Sequence, residues 1–194
     1  MLKKLYFWVL EQAKNPHAKW ILFSLAFIES SVFPIPPDVL LIAMVLSHRK
    51  QWFSSFLICL VGSVLGGLFG YFIGSGLWHI VGPWFLEHVF SENLFLKVQN
   101  LYQQYDFWIV FTAGFTPIPY KVFTIAAGVA QINPMTFIVA SIFGRGGRFF
   151  LVAFLLYCFG EPIKVFIEKY FNILTLLFVI LLIGGIWAIK FFAH

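Results

Sequence analysis

A proline-bearing string occurs twice in this chain, each time inside a long apolar run. Phe33-Pro34-Ile35-Pro36-Pro37-Asp38-Val39-Leu40-Leu41-Ile42-Ala43 is matched 83 residues later (117 − 34) by Thr116-Pro117-Ile118-Pro119-Tyr120-Lys121-Val122-Phe123-Thr124-Ile125-Ala126. Between Pro34–Met44 and Pro117–Ala127, six of eleven residues are identical, and five of the nine prolines fall in the two strings. Proline lacks a backbone donor and clashes with the preceding turn, so each copy should break a helix. In hydrocarbon such a break is tolerated only where the released backbone is buried in protein or lines a cavity. Corresponding broken segments in two halves of a chain are the sequence pointer to a transporter's binding site. The copies differ most at one place, where Asp38 in the first is replaced by Lys121 in the second.

The surroundings of the strings make the membrane reading firm. Hydrophobic residues are 61% of the 194 and charged residues 11%, against roughly 25% charged in a soluble domain. With so few charges, the net +5 describes membrane topology and a preference for anionic headgroups rather than nucleic-acid binding. Cys59 and Cys158 lie in apolar stretches without CxxC spacing and read as small core residues; no disulfide, metal or cofactor is expected. No small-residue cleavage motif follows the polar break at Glu11–Lys19, so no cleavable signal peptide is expected.

Charge and periodicity divide the chain. Residues 1–19 mix apolar and charged positions as an interfacial amphipathic helix does. Residues 20–47 carry the first break and are flanked by Lys14 and Lys19 on one end and His48, Arg49 and Lys50 on the other. Two basic ends suggest that this segment enters, breaks and returns to the same side, as a re-entrant hairpin. Residues 51–82 can cross a bilayer, and Gly62, Gly66, Gly70 and Gly74 recur on one helix face, where small residues allow close backbone packing. Residues 83–105 read as an amphipathic element on the opposite side, 107–132 as a second re-entrant hairpin, 134–160 as a second span and 171–194 as a C-terminal transmembrane helix. The expected fold is all-α and membrane-integral: about three transmembrane helices and two opposed hairpins, with repeat one at 20–82 inverted relative to repeat two at 107–160. The N-terminus is then cytoplasmic and the C-terminus outside.

Ionisable side chains inside a span cost about 2.5–3.5 kcal/mol each, so those present are functional candidates. Lys121 stands in the first turn after Pro119, where a cation opposes the helix dipole and calls for an anionic ligand or an acidic partner. Asp38, in the matching turn, suits that dipole and reads equally well as a helix cap. Glu29 precedes the first string by four residues, where a buried carboxylate can take up a proton or pair with Lys121 or an arginine. Arg145 and Arg148 share a helix face if the helix runs through Gly144-Arg145-Gly146-Gly147-Arg148, and a guanidinium fork fits phosphate oxygens. A span starting near Phe149 would instead leave them interfacial, but only 12 residues, about 18 Å of helix, would remain to Gly160. No HExxH, Walker A or GxSxG string is present and no histidine lies in a hairpin, so the chain is not expected to be an enzyme.

At these residues the chain resembles the DedA membrane proteins, which share a domain with eukaryotic lipid scramblases. The resemblance covers roughly residues 20–165. It rests on Glu29 before Pro36-Pro37-Asp38, on Gly70-Tyr71-Phe72-Ile73-Gly74, and on the second hairpin from Phe115 through Pro117 to Ala127-Gly128. It departs from the family's Arg-Phe-x-Pro-x-x-Arg pattern, with Gly114 at the first arginine and Tyr120 or Lys121 at the second, and is similar to the YqaA-type branch, in which the Gly-Arg-x-x-Arg pattern of Gly144–Arg148 follows. The resemblance implies opposed hairpins, membrane homeostasis linked to the proton motive force, a place in the bacterial cytoplasmic membrane and, for some members, translocation of undecaprenyl phosphate or other phospholipids.

The expected function is therefore that of a lipid translocase, flippase- or scramblase-like. A phosphate headgroup would meet Lys121, Arg145, Arg148 and Tyr120, with Glu29 and Asp38 coupling protons and Pro34, Pro36, Pro37, Pro117 and Pro119 breaking the hairpins. The partners are anionic membrane lipids and protons, with a homo-oligomer left open. A proton-coupled transporter of small solutes or ions and a non-catalytic membrane scaffold are the alternatives.

Overall fold

Both proline strings separate one helix from the next. The computed structural model describes residues 13, 15–31, 36–88, 92–116 and 118–160; Pro34, Pro117, most of the interfacial helix expected at 1–19 and the span expected at 171–194 lie outside them. Helix α1 (Ala18–Ser31) precedes the first break and α2 (Asp38–Ser47) follows it, with Pro37 as the N-cap residue of α2. A short 3-10 turn (Arg49–Gln51) leads into α3 (Trp52–His88). Helix α4 (Glu92–Phe115) precedes the second break, and α5 (Tyr120–Val129) follows it with Pro119 at its N-cap. Helix α6 (Pro134–Phe159) begins with Pro134 in its first turn and with the Asn133 side chain accepting a hydrogen bond from the Met135 N–H at 2.8 Å, two features suited to a helix start. It ends at Gly160, whose φ of +70° favours glycine. No strand occurs among the described residues.

Helix α4 joins two stretches of different character. At Tyr105 the backbone leaves helical geometry (φ −126°, ψ 26°), and the next residue, Asp106, caps the restart by accepting from the Phe107 N–H at 2.6 Å. The amphipathic stretch expected to end at 105 and the hairpin expected to begin at 107 therefore meet at a kink within one element.

The helices pack crosswise. In each half the helix before the break lies along the next long helix: α1 on α3, and α4 on α6. The helix after the break packs on the long helix of the other half, α2 on α6 and α5 on α3, while α3 and α6 touch each other at the centre. Glycines set these distances. A Cβ at Gly62 would lie 2.6 Å from the Phe23 carbonyl oxygen of α1, and one at Gly144 would lie 2.6 Å from the Phe111 carbonyl oxygen of α4. At Gly66 and Gly74 it would come closer still to the carbonyl oxygens of Phe27 and Ile125, and at Gly70 to the Thr124 hydroxyl. The glycine face of α3 is thus divided, its first two residues receiving α1 and its last two receiving α5.

Apolar residues fill both the inside and the outside. Leu22, Leu40, Leu41, Val45, Phe149 and Leu156 make one core; Val110, Tyr120, Ala127, Phe137 and Ala140 make another. Yet Phe53, Leu57, Val61, Leu65, Phe69 and Phe72 form an exposed row along α3, and Ile142, Phe143, Phe150, Leu151 and Phe154 do the same on α6. So continuous an apolar exterior fits hydrocarbon, not water. Among the described residues, two helices are long and apolar enough to cross a membrane, over Arg49–Trp78 and Pro134–Phe159.

Candidate functional site

The two arginines of α6 lie where α6 faces the breaks. The helix runs unbroken through Gly144–Arg148, so spacing by three directs both guanidinium groups to one side. Arg145 is 2% exposed, which removes the interfacial alternative for it. Its Nη2 forms an ion pair with the Glu29 carboxylate of α1 and lies 3.3 Å from Ser30 Oγ, while its Nε donates to Ser63 Oγ of α3 at 2.6 Å. Ser30 and Ser63 are joined by a 2.8 Å hydrogen bond, and Ser30 Oγ also donates to Glu29. Two aromatic rings adjoin the guanidinium, its carbon lying 5.0 Å from the centre of Tyr120 and 4.7 Å from that of Phe149. In a desolvated site each such contact contributes about 2 kcal/mol. Tyr120 is held by a 2.5 Å bond to Ser141 Oγ, itself bonded to the Phe137 carbonyl at 2.6 Å.

One turn on, Arg148 grips Asp38 with both sides of its fork: Nη2 to Oδ2 at 2.8 Å and Nε to Oδ1 at 3.3 Å. Its remaining arm, Nη1, donates to the Thr116 carbonyl at 3.0 Å. That carbonyl belongs to the second break, immediately after α4, where no helical partner is available to it. Asp38 is the first residue of α2, after the N-cap Pro37; its carboxylate pairs with the arginine, and the dipole of α2 favours it there as well. Side-chain exposures of 11% for Arg148 and 17% for both Asp38 and Glu29 place the two pairs largely out of solvent.

The structure therefore brings together Glu29, Asp38, Tyr120, Arg145 and Arg148. Lys121 lies half-buried in the first turn of α5 beside Tyr120, and its backbone carbonyl accepts from Thr124 Oγ1 at 2.9 Å. The Glu29 and Asp38 carboxylates are held by the two arginines. Pro36 and Pro37 directly precede α2, and Pro119 directly precedes α5. Ser30, Ser63, Ser141 and the Thr116 carbonyl belong to the network without a signal of their own in the sequence. Only the adjacency of Ser30 to Glu29, and of Ser63 to Gly62 on the small-residue face, hinted at two of them. Among the described residues no cluster of His, Cys, Asp and Glu is suited to a metal.

A family model described as the VTT domain matches residues 35–158. The chain belongs to this family, the DedA group of membrane proteins. An uncharacterised protein of Haemophilus influenzae is 35% identical over 186 residues, covering 93% of this chain and 94% of that protein. A second uncharacterised protein, from Histophilus somni, is 30% identical over 151 residues, 78% of each chain. No solved structure matches. The VTT domain thus contains Asp38, Ser63, Tyr120, Lys121, Arg145 and Arg148, while Glu29 reaches Arg145 from just before it.

Proposed function

We propose that this VTT-domain protein translocates a phosphate-bearing lipid across the bacterial cytoplasmic membrane, with Glu29 and Asp38 exchanging protons as it does so, and that it is a transporter rather than an enzyme. The carrying observation is the pair of arginines on a membrane-spanning helix, each neutralised by a carboxylate from the first broken segment. A charge at such depth is retained only with a partner. Protonation of Glu29 or Asp38 would dissolve a pair, and a phosphate offers the released guanidinium the same planar fork geometry that the carboxylate did. Undecaprenyl phosphate or a phospholipid would satisfy this chemistry. Lys121, one residue from Tyr120, would meet the headgroup from the second broken segment.

The architecture favours the same reading. Helices α2 and α5 have 10 residues each, about 15 Å, half of a hydrocarbon core about 30 Å thick. Two half-length helices, each entering after a proline break and packing on the opposite long helix, fit re-entrant hairpins in an inverted repeat. That arrangement permits alternating access about a midplane site, with the N-terminus cytoplasmic.

Reconstitution into liposomes with fluorescent anionic lipids, with and without a pH gradient, tests the reading. Wild-type protein should move lipid between leaflets, Arg145→Ala and Lys121→Ala should abolish it, and Glu29→Gln should remove its dependence on the gradient. Flipping unaffected by Lys121→Ala and Arg145→Ala would sink the site assignment. No flipping under any gradient would leave solute transport or a scaffold.

A further inference from the structure

A second polar site lies away from the arginines, at the end of the fold that carries His48, Arg49 and Lys50. Here α1 starts, α2 stops and the 3-10 turn passes into α3, and between them is a cavity of about 300 Å³ whose lining includes Asn15, Lys19, Met44, His48, Gln51 and Ser55. Ser55 is 0% exposed, and its Oγ is the one buried side-chain polar atom without a hydrogen-bond partner among the described residues. A buried hydroxyl left without a partner costs about 1–3 kcal/mol, so its presence on the wall of a cavity points to a partner that enters from outside.

The electrostatics indicate what kind of partner. The cavity is bordered by Asn15 just before α1 and Lys19 in its first turn, by Met44 and His48 at the end of α2, and by Gln51 of the 3-10 turn and Ser55 in the first turn of α3. Helix N-termini carry partial positive charge, which favours anions; the Ala18, Trp20, Ile21 and Gln51 N–H groups are already bonded to the carbonyls of Asn15, His17 and His48, so the helix starts act here through their dipoles. The His48 side chain makes no cap bond there. Lys19 adds a full charge and His48 a second donor, and among the described residues no carboxylate lines the cavity. We propose that this cavity binds a phosphate group, held by Lys19, Ser55 and the two helix starts, at a site separate from the Arg145 and Arg148 pairs. The phosphate can come from a lipid headgroup at the membrane surface or from a free phosphate in solution. The assignment stands whether or not the arginines move lipid.

The test uses the full chain. Native mass spectrometry after purification with equal amounts of phosphatidylglycerol and phosphatidylcholine reads the lipid source, and equilibrium dialysis against radiolabelled inorganic phosphate in phosphatidylcholine nanodiscs reads the free one. Wild-type protein should hold phosphatidylglycerol or phosphate preferentially. Lys19→Gln, a change at an exposed side chain that leaves the packing intact, and Ser55→Ala should each weaken that binding by about tenfold, the worth of a charge-assisted hydrogen bond. Phosphatidylglycerol retained and not displaced by phosphate identifies the headgroup; phosphate bound directly and lost in both variants identifies the free anion. Equal retention of the two lipids together with no phosphate binding, or binding that both variants leave intact, would overturn the proposal.

Discussion

Arg145 holds an ion pair, a serine hydrogen bond and two aromatic faces at once, so its replacement removes several interactions and strands others. Removing one partner of a buried pair leaves an uncompensated charge and costs about 3–5 kcal/mol. Arg145→Met should therefore lower stability in detergent by that order, measured by SDS or thermal unfolding, and pairing it with Glu29→Gln should recover part of the loss. Tyr120→Phe is a milder change. It keeps the ring over the guanidinium and deletes the bond to Ser141, leaving Ser141 still bonded to the Phe137 carbonyl. A loss of about 1 kcal/mol in the same assay is expected. The sequence marked the five charged candidates because an ionisable group in an apolar run stands out. Their partners did not stand out: Glu29 and Arg145 are 116 residues apart and Asp38 and Arg148 are 110 apart, and nothing local records which arginine meets which carboxylate. The serines were harder still, because a serine in a membrane helix can satisfy itself on its own backbone, as Ser31 does on the Phe27 carbonyl.

Among the elements, α3 was the most legible. Its four-residue glycine spacing announces a close neighbour, and proline announces where the helices after each break begin. What the spacing does not reveal is that two different helices share the face. Gly66→Ala should force α1 away from α3 through the Phe27 carbonyl, destabilising by about 1–3 kcal/mol as overpacking does. Gly76→Ala supplies the contrast. A Cβ there meets nothing within 4 Å, so alanine should raise helix stability by up to about 1 kcal/mol through propensity alone. Thermal unfolding of the two variants side by side separates packing from propensity. The kink at Tyr105 left little trace in the sequence, since Asp106 is an ordinary capping residue that could equally have ended an interfacial helix.

For the molecule as a whole, the crosswise packing of α2 on α6 and α5 on α3 bears on topology. If both broken segments return to the side they enter from, cysteines introduced singly at Lys19 and Lys50 in a cysteine-free background should react with a membrane-impermeant maleimide from one face only. Those at Asp106 and Asn133 should react only from the other. Labelling of Lys19 and Lys50 positions from opposite faces would instead make α1 and α2 together one conventional crossing.

Arg148 touches the first break through Asp38 and the second through the Thr116 carbonyl. It ties the two breaks to the same point on α6. Whatever draws its side chain away removes a contact from both breaks in a single event. One side chain is thus a fastening common to both proline breaks.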